Sequence, residues 1–86
     1  MIDVAAAANT EVPCYLALLA LGFEVALKAE GDRENWSAKK AGVQITADSP
    51  CNLLGLAAMV EVRGADWRAN DDEIDEFLGR FETRSN

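Results

Sequence analysis

One segment constrains this chain more than any other. Ser49 to Gly64 reads as a helix with a start, a stop and almost no polar face. Ser49 is a capping residue type, Pro50 suits the first helical position, and Gly64 suits the residue just past the last turn. From Leu53 to Val60 no residue is charged. A helix apolar on most sides must be covered on most sides, by its own domain or by another chain. Arg63 at its end complements the negative helix pole, which by itself accounts for that residue.

The other elements follow from caps and periodicity. Thr10 is placed to cap a first helix, with Glu11 near its positive end and Pro13 in the first turn, where no amide hydrogen is needed. Val12, Tyr15, Leu16 and Leu19 share one stripe, Leu18 and Leu21 widen it, and Gly22 ends the helix. Phe23 to Glu30 then alternates: Phe23, Val25, Leu27 and Ala29 inward, Glu24, Lys28 and Glu30 outward. Period two over such a run signals a strand. A polar turn over Gly31–Asn35 leads to a short strand, Trp36–Lys39. Lys40-Ala41-Gly42 turns the chain into a third strand, Val43–Ala47. Connections this short favour an antiparallel meander.

Past Gly64, a loop containing Trp67 and Arg68 reaches Asn70. There the signals agree on a last helix. Asn70 caps, Glu73 completes a capping box, and Asp71 and Asp72 lie at the positive end. Ile74, Phe77, Leu78 and Phe81 recur at i, i+3, i+4 and i+7, with Asp75, Glu76 and Arg80 opposite. The expectation is one α+β domain over 1–86, in the order α-β-β-β-α-α, with a three-stranded meander covered by three helices and frayed ends at 1–9 and 82–86. One sheet needs one apolar layer against it. Two helices apolar nearly all round exceed that need, and the surplus argues for a homodimer through their faces.

Charge narrows the functions. Eighty-six residues carry fifteen acids against eight bases, net −7, and residues 61–86 hold eight of the acids. Such a chain is repelled by nucleic-acid phosphates and anionic lipid. The plain meaning is solubility; the sharper one is a basic protein partner. The start lacks the basic region of a secretory signal, and the longest uncharged run is too short to span a bilayer. A cytoplasmic protein that binds neither nucleic acid nor membrane is expected.

The chemical inventory is thin. There is no histidine, the commonest general base and metal ligand near neutral pH. Glycines are scattered singly, so no phosphate loop is present. Helix capping explains the acids at 71–73 without a metal, and no cofactor or metal is expected. Cys14 and Cys51 open two helices in the same way, each after a proline, and read as core residues. Pairing them requires the two helix starts to lie side by side, and a reducing cytoplasm disfavours it.

The leading expectation is a non-catalytic acidic interaction module, of the inhibitor, immunity or adaptor kind. Its candidate surface is Trp67, Arg68, Asp71, Asp72, Asp75 and Glu76. Trp67 and Arg68 are of types enriched at binding hot spots, although the favoured reading of Trp67 is a lid folded back on the core, with Arg68 paired to a nearby acid. The alternative is a small-ligand or sensory domain, dimeric or not, with a pocket lined by Phe23, Trp36, Ile45 and Leu54.

Overall fold

The computed structural model describes residues 1–4 and 9–81. The fraying expected at 1–9 and 82–86 falls in part on residues 5–8 and 82–86, which lie outside the described residues. Element order is α1 (Glu11–Ala20), β1 (Glu24–Glu30), β2 (Arg33–Lys40), β3 (Val43–Ala47), α2 (Pro50–Arg63) and α3 (Asp71–Phe81). The three strands form one antiparallel sheet in the order β1-β2-β3, the α+β meander that the alternation predicts.

Hairpin chemistry sets the register. Glu30 pairs Arg33 directly, so the first turn is only Gly31-Asp32 and β2 starts three residues earlier than the alternation alone suggests. A glycine at φ +62° makes so tight a turn accessible. The second turn, Ala41-Gly42, has both residues at positive φ, +48° and +82°. There an alanine occupies left-handed backbone that glycine or asparagine would hold at lower cost. On the helix side of the sheet, Leu27 faces Trp36 and Trp36 faces Ala47; beside them, Val25 faces Ala38 and Ala38 faces Ile45.

The core is small. Leu18, Phe23, Ala38, Ile45, Leu53 and Ala57 are buried, with Val25, Trp36, Val43, Ala47 and Leu54 packed against them. Leu18 and Leu53 are fully enclosed, and burial of each stabilises the fold by roughly 1.5–3 kcal/mol. Caps behave largely as expected. Ser49 Oγ accepts from the Asn52 amide at 3.1 Å, with Pro50 in the first turn of α2. Thr10 is the exception: its backbone is already helical, at φ −87° and ψ −11°, and its side chain makes no capping bond.

Four expectations are corrected. Leu27 and Ala29 face the helix side yet are exposed, because α1 is too short to cover all of β1. Helix α2, without charge from Leu53 to Val60, buries one face, at Pro50, Leu53 and Ala57, while Leu56 stays 38% exposed. Gly55, Ala57 and Ala58 make its apolar surface smaller than its lack of charge implies. The helix layer contains α1 and α2 only: every residue from Glu61 to Phe81 is exposed, and α3 packs extensively against no other element. The Cα radius of gyration is accordingly 15.6 Å, against about 12 Å for a compact chain of this length.

The fourth correction concerns the cysteines, which are not free core residues. Cys14 and Cys51 form a disulfide across a Cα–Cα distance of 5.0 Å, within the span such a bond needs. It joins the starts of α1 and α2, and Cys51 Sγ lies 3.4 Å from the Thr10 carbonyl oxygen. At the other end of the pair, Lys40 does the joining. Its Nζ donates to the Leu21 carbonyl at 2.6 Å and to Glu61 Oε1 at 2.8 Å, and sits 5.2 Å from the Phe23 ring centre. Gly22, at φ +94°, brings the chain past the Lys40 side chain, which a Cβ at that position would touch at 3.6 Å. The two helices are thus tied at both ends.

Candidate interaction surface

The acidic site expected from the sequence is brought together on α3 and the loop before it. The capping box closes: Asn70 Oδ1 accepts from the Glu73 amide at 2.8 Å, and Glu73 Oε1 accepts from the Asn70 amide at 2.9 Å. The hydrogen bond from the Asn70 amide, then that from Arg63, pulls the Glu73 carboxyl below its ordinary 4.5. Asp71, Asp72 and Glu73 occupy the first turn, where the positive helix pole favours negative charge.

Arg63 is the residue that sequence reasoning missed. It was sufficiently explained as a cation at a helix end. In the structure it holds the whole α2–α3 connection. Its Nε donates to the Trp67 carbonyl at 2.8 Å, and its Nη2 donates to the Arg68 carbonyl at 3.3 Å and to Glu73 Oε1 at 3.0 Å. A fork of donors serving several acceptors is what guanidinium geometry provides. The sequence signal available was the spacing to Glu73, ten positions on, which is visible only once the loop's path is known.

Trp67 is 37% exposed and is not among the side chains packed on the buried cluster. Arg68 lies over its ring at 4.4 Å rather than against an acid. On the helix, Asp72, Asp75 and Glu76 fall on one face, and Ile74, Phe77, Leu78 and Phe81 on the opposite face. Neither ion pair among the described residues, Lys40–Glu61 or Arg63–Glu73, uses Asp71, Asp72, Asp75 or Glu76. The apolar ridge is exposed as well: Phe77 is 60% exposed, and Phe77 and Phe81 pack on each other with ring centres 5.0 Å apart.

The pocket expected from Phe23, Trp36, Ile45 and Leu54 is closed at its base, since Phe23 and Ile45 are buried in the core. An apolar groove of about 400 Å³ opens elsewhere, under the start of α1, lined by Glu11, Val12, Tyr15, Val25, Leu27, Trp36 and Pro50. Among the described residues, no three metal-ligating side chains converge, and no helix is long and apolar enough to cross a membrane. No protein-family model, no curated protein and no solved structure matches this chain.

Proposed function

We propose that this chain is a non-catalytic interaction module that binds a basic protein through the acidic face of α3, with Trp67 and Arg68 at its edge. The observation that carries this reading is α3 itself. It displays Asp71, Asp72, Asp75 and Glu76 unpaired and exposed, on a helix that contributes nothing to the buried core. Charge so displayed mainly speeds encounter and selects among partners. An inhibitor, an immunity-type protein or an adaptor would each suit this reading. Self-association through apolar helix faces is compatible with it, because those faces lie opposite the acids.

A cytoplasmic setting belongs to this reading only if Cys14 and Cys51 are reduced in the cell. An oxidised pair favours an oxidising compartment. Mass measurement of the freshly isolated protein after thiol alkylation, with and without prior reduction, separates the two.

The test of function is capture of partners from host extract at low and moderate salt, followed by association kinetics with the purified partner. The double variant Asp75→Lys, Glu76→Lys is expected to slow association by about tenfold or more at low salt and to flatten its salt dependence. An unchanged association rate would contradict this placement. A second reading, binding of a small apolar ligand, is favoured by the groove beside Tyr15 and Trp36. It predicts a ligand that co-purifies and leaves when Leu27 is replaced by Asp.

A further inference from the structure

Two vacancies in this molecule match each other. The helix layer is one helix short on the side of β1. Leu27 is 47% exposed there, Val12, Leu16 and Leu19 on α1 are 63%, 53% and 42% exposed, and the groove runs between Leu27, Trp36 and the start of α1. At the other end of the chain is a helix without a layer. α3 carries the apolar ridge Ile74, Phe77, Leu78 and Phe81, whose members are 42–60% exposed. A sheet face lacking cover and an amphipathic helix lacking a surface are what a split domain interface leaves behind.

We propose that the chain forms a symmetric dimer by reciprocal exchange, the α3 ridge of each copy seated in the α1–β1 groove of the other. This goes beyond the acidic-face reading and uses the opposite side of the same helix. It leaves Asp72, Asp75 and Glu76 outward, so both copies would still present them to a partner.

A second copy is favoured over the chain's own α3 by where α3 is rooted. Pro50, at the start of α2, lines the groove. Arg63, at the end of α2, holds Trp67, Arg68 and Glu73. Fourteen helical residues separate these ends, about 20 Å at 1.5 Å per residue. A helix arriving from a second copy fills the groove with the Arg63 contacts intact. Size supports it too. The four ridge side chains expose on the order of 100 Å² each, as do Val12, Leu16, Leu19 and Leu27 on the facing surface of α1 and β1, and symmetry doubles both. The total, roughly 1,600 Å², is the size of a stable standard interface. Reciprocal exchange also closes on itself, so it ends at a dimer rather than a fibre. Glu11, the single acid lining the groove, would meet Arg80 on the flank of the incoming helix.

Sedimentation of the whole protein over a range of concentrations, followed by cross-linking, tests this. The expected result is a monomer–dimer equilibrium. Phe77→Asp on the ridge and Leu27→Asp in the groove should each raise the dimer dissociation constant about tenfold or more. Val62→Asp, at a site 85% exposed and outside both surfaces, should leave it unchanged. Because Phe77 and Leu27 lie outside the buried core, circular dichroism should show both variants folded. A benzophenone side chain at position 81, in a mixture of 15N-labelled and unlabelled copies, should cross-link to peptides of α1 or β1 across copies. A monomer at every concentration overturns the proposal. So do cross-links between two α3 helices, which would make the dimer a helix pair, and cross-links confined to one copy, which would mean that α3 closes on its own groove. A small molecule found in the groove of a non-associating protein overturns it as well.

Discussion

From Glu11 to Arg63 the chain is held many times over; from Gly64 to Phe81 the side chain that ties it to that fold, among the described residues, is Arg63. In the first region two helices lie on a sheet, locked at one end by the Cys14–Cys51 bond and at the other by Lys40, around six buried side chains. In the second, a helix with equally good capping stands away from that core, connected through Arg63 and burying nothing. The comparison separates two things that sequence patterns tend to merge. Caps and periodicity decide that a segment is a helix. Which surface covers its apolar side depends on where the chain goes next, and no described element packs extensively on α3.

The sharpest way to break the contrast is to truncate one apolar side chain in each region. Leu53→Ala should cost about 2–5 kcal/mol, a large part of the 5–15 kcal/mol typical of a small domain. Phe77→Ala in dilute, monomeric protein should change the unfolding free energy from urea titration by no more than about 0.5 kcal/mol. Equal losses would mean that α3 belongs to the core.

Opening the staple comes next. With cysteines 37 positions apart, a disulfide constrains the unfolded chain by about 3–4 kcal/mol. Denaturant unfolding with and without reductant should show a shift of that order. Its absence would mean that Lys40 and the core alone align α1 with α2.

Asn70→Ala acts on the other region. It removes the cap of α3 at a cost of about 1 kcal/mol to that helix. Helical ellipticity should fall while the midpoint of the main unfolding transition stays in place. Ala41→Gly does the reverse: it relieves a left-handed alanine in the second hairpin and should raise the free energy of the main unfolding transition by roughly 0.5–1 kcal/mol, leaving ellipticity unchanged.

The smallest effect is the response of α3 to acid. The Glu73 carboxyl titrates lower in the folded protein than its ordinary 4.5. Its stabilising contribution is therefore complete above that value and is lost as pH falls below it, through the lowered folded value. Ellipticity from α3 should decline over that window in the parent and be flatter in Glu73→Gln. Identical curves would remove Glu73 from the account.

Much of the fold was legible because its causes are local. The capping box at Asn70 and Glu73, the Ser49-Pro50 helix start and the alternation Val43–Ala47 act within a few residues, and all appear where the residues call for them. The first hairpin is tighter than the alternation implies, since a two-residue turn at Gly31-Asp32 is recognised only by the pairing on either side. The cysteine pairing is hidden for a similar reason. Pro13-Cys14 and Pro50-Cys51 begin two helices alike, but their pairing depends on two helix starts being level in space, which no local pattern encodes. The acids of the candidate site could be read directly, as charge on a helix face. Arg63 could not, because its partners at Trp67, Arg68 and Glu73 gather around it only when the loop folds. Nor could the open groove, since alternation places Leu27 on the inner face without saying how far α1 extends over it.

Amide hydrogen exchange, measured residue by residue in protein dilute enough to be monomeric and again at high concentration, tests the central contrast most directly. The account predicts strong protection for the amides of α2 around Leu53 at both concentrations. For α3 it predicts little protection when dilute and a clear gain when concentrated. Protection of α3 equal to that of α2 in the dilute monomer would contradict it, by showing that the helix is part of the same cooperative core.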